Sequence, residues 1–160
     1  MHTTRDYLNK MNSLNPIPSD LELDSLKKKD VGQVCGLWPF TSVLGEQYVE
    51  KMILHGETVC LRDKQGDLVG YIGHHEDGCF GFTHVRDDQR KRGLAKILLV
   101  QLGTKTFNSS GLDFLPIHSE VSLSNYASLA LVKSLGFFQY PFNLFYHTLK
   151  KDGIHLKEFH

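Results

Sequence analysis

The chain of 160 residues has few cysteines, no net charge and no long apolar segment. Its three cysteines, Cys35, Cys60 and Cys79, are an odd number without close spacing. This pattern argues against a disulfide framework and predicts a reducing compartment. Because 18 basic and 18 acidic residues cancel, no overall field attracts nucleic acid or an acidic membrane. We therefore expect neither nucleic acid nor a membrane as a partner.

Targeting signals are also missing from the sequence. No window approaches the roughly 18 apolar residues of a membrane-spanning helix. The N-terminus carries charges and amides where a signal peptide has its apolar segment. The expected location is the cytoplasm. Arg5 and Lys10 lie outside any Arg-rich amphipathic stretch, and mitochondrial import stays open as an alternative.

The hydrophobic content of 41% at this length is enough for one core and too little for two ordinary domains. We place that domain at residues 21–150. Residues 1–20 are rich in asparagine, serine and proline, which predicts a polar lead-in that packs little. Residues 151–160 are expected to form a C-terminal tail.

The spacing of apolar residues predicts an α/β domain. After a short strand at 21–23, periods of three and four predict helices at 27–38 and 44–54. A period of two then predicts strands at 58–61, 68–72 and 79–85. A helix starts at Leu94 and ends at Gly111, and another is capped by Ser124 or Asn125 and ends at Gly136. Further strands are predicted at 114–118, 138–140 and 144–149.

The segment 85–96 carries the strongest chemical signal, because it leaves a strand, turns and opens a helix. N–H groups in a first helical turn lack internal partners, and the helix dipole adds positive charge there. Gly93 permits close backbone approach, and Ala95 keeps the turn uncluttered. Positive charge is added by Arg90, Lys91, Arg92 and Lys96. The sequence therefore predicts a phosphate-bearing ligand at this turn.

Two motifs in their structural order carry a family resemblance. Arg90-x-x-Gly93-x-Ala95 follows a strand and opens a helix, and an Asn125-x-x-Ser128 helix follows about thirty residues later. This order over residues 21–150 resembles the GCN5-related N-acetyltransferase superfamily. More narrowly, segments 37–40 and 128–135 look like the C-terminal domain of glycine N-acyltransferase-like proteins. The resemblance implies a mixed, mostly antiparallel sheet with splayed central strands, flanked by helices.

The resemblance also implies acetyl-CoA or another acyl-CoA as co-substrate, and no metal. The pyrophosphate would be bound by backbone amides of the turn, the pantetheine by the strand edge at Val85, and the far arm of the cofactor by the helix of Asn125 and Ser128. The turn comprises Lys91, Arg92, Gly93, Leu94, Ala95 and Lys96. Backbone N–H groups in 83–85 are the expected oxyanion donors.

The implied reaction transfers an acyl group to a small primary amine, with glycine or another amino acid as the first acceptor class. A peptide or protein N-acetyltransferase is the alternative within enzymes. A CoA-binding module without catalysis is the alternative outside them. A homodimer through strands after Pro141 also stays open.

Catalysis is where this chain departs from the family pattern. Cys79 occupies the position of the usual glutamate or histidine base, and Val132 occupies the position of a common tyrosine acid. Because the strand of residues 114–118 should splay beside the thioester, Glu120 and then His118 are the predicted replacement bases. Cys79 itself is a further hypothesis, as a proton relay or acyl acceptor.

Three other features favour structural roles. Strand alternation puts Phe80, Phe82 and His84 on the face opposite Cys79, so His84 should point away from the site unless a bulge intervenes. Residues 74–77 carry metal-ligand types, but a solvated loop is the better interpretation. Trp38 is expected to pack in the core.

Overall fold

In the computed structural model the described residues are 4–38, 45–111, 117–137, 146–150 and 153–157. The chain divides into two compact units, residues 1–120 and 121–160. The predicted strand at 138–140 and most of the one at 114–118 lie outside the described residues. Among the helices that the structure describes, none is long and apolar enough to cross a membrane.

The first unit contains a four-stranded antiparallel sheet with neighbouring strands in chain order. Its strands are β1 (Leu21–Asp24), β2 (Thr58–Asp63), β3 (Leu68–His74) and β4 (Phe80–Val85). All but the last residue of β2 and of β3 are buried, as expected for central strands covered on both faces. The predicted meander of strands is confirmed.

Helices cover both faces of this sheet. A short 3-10 helix (Lys28–Asp30), α2 (Val31–Leu37) and α3 (Glu46–His55) lie on one face, where Val34, Val49 and Tyr71 share a buried apolar cluster. The helix α4 (Leu94–Ser110) covers the other face through buried leucines. Space for α4 depends on Gly70, because a Cβ there would lie 3.2 Å from Leu98.

The N-terminal segment does not form the predicted loosely packed lead-in. Residues Thr4–Leu14 form α1, whose Leu8 and Met11 are buried. Asn12 donates to Thr104 Oγ1 at 2.8 Å and accepts from Gln101 Nε2 at 2.8 Å. Apolar residues three apart on one helical turn are enough to attach this polar segment to α4.

The second unit contains one helix and one hairpin. The helix α5 (Tyr126–Ser134) has Asn125 as its N-cap, as predicted. Strands β5 (Tyr146–Lys150) and β6 (Gly153–Lys157) pair antiparallel. The predicted strand at 144–149 is thus found at 146–150, and the expected C-terminal tail is wrong because residues 153–157 supply its partner strand. The predicted homodimer through these strands remains a prediction.

A buried ion-pair cluster ties β1 to β2 and to the start of α2. The guanidinium of Arg62, 8% exposed, donates to Asp24 at 2.8 Å and to both carboxylate oxygens of Asp30 at 2.8 and 3.1 Å. Asp30 also accepts from the backbone N–H of Lys27 at 2.7 Å. Hydrogen bonds from Lys27 and Arg62 hold the pKa of Asp24 well below its usual range. Each buried charge therefore has partners.

We expect Arg62→Leu to lower the free energy of unfolding by about 3–5 kcal/mol, because it leaves the buried carboxylate of Asp30 without its guanidinium partner, whereas Asp24 keeps Lys27 at 2.7 Å. Lys28→Ala, which removes an exposed pair with Glu50, should cost less than about 1 kcal/mol. Urea unfolding at neutral pH measures both changes. Equal costs for the two variants would contradict a central role for the Arg62 cluster.

Candidate active site

Strand β4 contains a bulge in its middle. Gly81 pairs with Gly73 and His84 pairs with Tyr71. Two residues of β4 therefore lie opposite the single residue Ile72 of β3. Phe82, the first of the two, has a φ of +35°, which is unusual for a bulky side chain and marks a strained position.

The bulge changes which side chains share a face. Phe80 lies on the α4 side, where a Cβ on Gly103 would approach its ring at 3.9 Å. Phe82 and His84 lie on the α2–α3 side, with ring centroids 6.0 and 5.7 Å from Tyr71. The predicted shared face for Phe80, Phe82 and His84 is therefore wrong, because one inserted residue reverses the alternation.

The outer edge of β4 is paired only at its beginning. Phe80 N–H donates to the His118 carbonyl at 2.9 Å, and Ser119 Oγ donates to the Phe80 carbonyl at 2.9 Å. Beyond this single parallel bridge, no described strand pairs with this edge. Arg86 N–H bonds inward to β3, so alternation turns the N–H groups of Thr83 and Val85 outward. An extended ligand can pair there.

The turn after β4 concentrates backbone donors. Lys91 and Gly93 have φ angles of +62° and +74°, a left-handed geometry that orients successive N–H groups into a concave anion-binding site. Within the described residues, no acceptor is bonded to the N–H groups of 91–95. The first bonded one is Lys96, which donates to Gly93 at 3.0 Å. The predicted helix start after Gly93 is confirmed.

The positive charge of this turn is smaller than the sequence suggests. Arg90 pairs with Asp87 at 2.7 Å, and Arg92 pairs with Asp20 at 2.7 Å. Lys91 and Lys96 form no ion pair with a described residue. Carboxylates therefore lie against two of the four cations, and the role of all four in binding the anion stays a prediction.

His75 lies directly over β4, immediately before the bulge. A Cβ built on Gly81 would lie 2.2 Å from its Nε2 atom, so the imidazole fills the space of a side chain at that position. Its Nδ1 is 3.0 Å from the Tyr48 hydroxyl, and its ring contacts Trp38 and Phe82. Burial lowers the pKa of His75. The ring is therefore held with Nε2 facing the strand.

The predicted solvated loop at residues 74–77 is wrong for its two histidines. His74 lies on the α4 side, where its Nε2 is 3.0 Å from Thr106 Oγ1. His75 lies on the opposite face, as strand alternation requires. Both rings are half-buried and hydrogen-bonded to helices.

The three predicted catalytic residues lie at the beginning of β4. Cys79 is 2% exposed, and burial raises the pKa of its thiol to about 12. A thiol that stays protonated is a poor nucleophile, which argues against Cys79 as an acyl acceptor. Burial, followed by the charge of Asp77, raises the pKa of Glu120. The thiol of Cys79 also comes together with His118 and Asp77, whose ligand atoms lie within 4.8 Å of one another.

The predicted contacts with the far arm of the cofactor lie in the second unit. Asn125 Oδ1 accepts from the Ser128 N–H at 3.1 Å, which is the usual bond of a helix N-cap. Capping therefore accounts for Asn125 locally. A cofactor role for either residue stays a prediction.

Comparison with solved structures defines the fold. A Drosophila protein matches with a TM-score of 0.72 at 19% identity. The match covers 78% of this chain but only 41% of the Drosophila protein. AAC(6')-Iy matches with a TM-score of 0.60 at 19% identity, and its structure contains the bisubstrate analogue CoA-S-monomethyl-acetylneamine. The match covers 82% of this chain and 100% of AAC(6')-Iy. An aminoglycoside 6'-N-acetyltransferase from Acinetobacter baumannii matches with a TM-score of 0.59 at 15% identity. The match covers 81% of this chain and 99% of that enzyme.

These identities establish the fold alone. It is the predicted fold of the GCN5-related N-acetyltransferases, with an antiparallel sheet flanked by helices. No family model matches the chain. No curated protein sequence matches it either.

We expect Tyr48→Phe to lower the free energy of unfolding by about 0.5–1.5 kcal/mol, because it removes the hydrogen bond to His75. In a Gly81→Ala background the added methyl group displaces the imidazole, so Tyr48→Phe should cost less there, although the Tyr48 hydroxyl keeps its hydrogen bond with the Glu76 backbone. Gly32→Ala is the matched control background, because a Cβ at Gly32 meets no atom within 4 Å. There Tyr48→Phe should lower the free energy of unfolding by the full amount. Urea unfolding of the double-mutant cycles measures the coupling. An undiminished cost of Tyr48→Phe in the Gly81→Ala background would contradict the placement of His75.

Proposed function

We propose that this protein is an acyl-CoA-dependent N-acyltransferase that transfers an acetyl or other acyl group to a small primary amine. One observation carries the proposal. Five consecutive N–H groups, 91–95, have no described acceptor and lie at the end of a strand whose outer edge is open. A ligand with a pyrophosphate at one end and an extended amide chain at the other matches this arrangement.

The cofactor-binding roles follow from the geometry of each part. The N–H groups of 91–95 receive the pyrophosphate, and the side chains of Lys91 and Lys96 supply charge that no described carboxylate neutralises. The pantetheine amides pair with the outer edge at Val85, whose carbonyl already accepts from Arg90 Nε at 3.4 Å. Asn125 and Ser128 are proposed for the far arm of the cofactor.

The proposed acceptor class is glycine or another amino acid, in line with the resemblance to glycine N-acyltransferase-like proteins. The solved relatives act on larger amines, as the name of the aminoglycoside 6'-N-acetyltransferase states. Thiol release from acetyl-CoA with glycine, a short peptide and an aminoglycoside, each tested in turn, separates these acceptors.

His75 is the base that the geometry favours. In the tautomer that donates from Nδ1–H to the Tyr48 oxygen, the lone pair of Nε2 faces Gly81 of β4. A proton of the amine passes to Nε2 while the amine nitrogen attacks the thioester carbonyl. The outward N–H of Thr83 stabilises the oxyanion. The C–S bond then breaks, and the thiolate of CoA takes up a proton. Glu120 stays a second candidate, because it is half-buried beside Asp77.

Acetyl-CoA should raise the melting temperature of the wild-type protein, because a ligand that binds only the folded state stabilises it by mass action. Lys91→Glu should raise the Kd at least about tenfold, which corresponds to about 1.4 kcal/mol. Lys29→Glu, a charge reversal at an exposed lysine of the 3-10 helix Lys28–Asp30, is the control. No shift in the wild-type protein at saturating acetyl-CoA would overturn the cofactor assignment.

His75→Asn should lower kcat by about a hundredfold with an unchanged KM for acetyl-CoA, because a general base contributes on the order of 10²–10⁴. The asparagine amide can still contact Tyr48 but leaves nothing at the position of Nε2. Glu120→Gln is the matched comparison and should retain most of kcat. The reverse outcome would transfer the role of base to Glu120, as the sequence predicts.

A further inference from the structure

A cluster of three different metal-ligand types lies at the opening of β4. The Cys79 thiol, the His118 imidazole and the Asp77 carboxylate have ligand atoms within 4.8 Å of one another. Thiolate, imidazole and carboxylate are the three side-chain donors that bind Zn²⁺ in proteins. Their combination is chemically distinct from an exposed group of carboxylates alone.

Backbone hydrogen bonds hold the two segments that carry these ligands. Asp77 Oδ1 accepts from the Cys79 N–H at 2.9 Å, which orients the carboxylate and leaves its second oxygen for a metal. The Cys79 carbonyl accepts from the N–H of His75 at 2.9 Å. His118 is fixed through its own carbonyl, which accepts from Phe80 at 2.9 Å. The ligands therefore converge although Cys79 and His118 lie far apart in the sequence.

We propose that Asp77, Cys79 and His118 form a zinc site with one open position for water. Tetrahedral Zn²⁺ with bond lengths of about 2.0–2.3 Å places its ligand atoms roughly 3.3–3.6 Å apart. The cluster must close by about 1 Å, and the side chains of Asp77 and His118, which are exposed, are the ones that would supply that movement. On binding, the Cys79 sulfur forms the Zn–S bond and its proton passes to the buffer. No oxidant or reductant takes part.

The site lies beside the proposed catalytic groups. The Cys79 carbonyl accepts from the His75 N–H at 2.9 Å, and Glu120 lies two residues after His118 in the sequence. A bound dication at this point would occupy the Asp77 carboxylate and add positive charge beside the groups that are proposed to accept the proton of the amine. We therefore expect zinc to inhibit transfer, a consequence that rests on the proposed function, whereas the metal site itself does not.

Cobalt titration of the metal-free protein tests the site directly. One equivalent of Co²⁺ should produce a thiolate-to-cobalt charge-transfer band that Zn²⁺ abolishes by displacement. Cys79→Ser should remove the band. Cys35→Ser, which alters a half-buried cysteine of α2, is the matched control and should leave it unchanged. His118→Asn should weaken cobalt binding at least tenfold.

No band in the wild-type protein, or a band that survives Cys79→Ser, would overturn the proposal. Because Cys79 is buried, circular dichroism must show that its variant is folded; the exposed His118 provides a variant that leaves the core intact. The acetyl-CoA thermal shift is measured on the same samples. A normal shift without cobalt binding defeats the metal site alone, and cobalt binding without a shift defeats the acyltransferase proposal alone.

Discussion

The bulge in β4 is the constraint on which the site depends. One inserted residue opposite Ile72 places Phe82 and His84 on the α2–α3 face and leaves Phe80 on the α4 face. The strand continues beyond the insertion with the N–H groups of Thr83 and Val85 directed outward. The described pairing of that edge stops at Phe80, and no described strand pairs with the second half of β4 there. An open edge with such donors binds an extended chain readily.

In the proposed function, backbone geometry more than side-chain charge forms the anion site at the turn after β4. Arg90 and Arg92 are held by Asp87 and Asp20, which screen much of their charge. The N–H groups of 91–95 have no such competitor among the described residues. Their orientation follows from two left-handed residues, Lys91 and Gly93. Fixed dipoles of this kind need no reorganisation when a phosphate arrives.

Local patterns predicted most of the first unit because each depends on neighbours in the sequence. Alternation identified β2, β3 and β4, and the period of three to four identified α3 and α4. The failures had local causes too. In α1 the polar residues obscure Leu8 and Met11, whose packing role depends on α4 lying beside them. In β4 the sequence indicates the bulge only through the glycine before it, Gly81. Simple alternation therefore assigned His84 to the wrong face.

By itself the sequence determined the order of elements and the glycine turn before α4, because these are properties of adjacent residues. Only the tertiary structure decided which side chain fills the space over Gly81. His75 reaches Gly81 because the β3–β4 hairpin folds back on itself, and Tyr48 fixes it from a helix 27 residues earlier. The convergence of Asp77, Cys79 and His118 likewise arises from strand pairing. Contacts between distant segments follow from register and packing, and no local spacing encodes them.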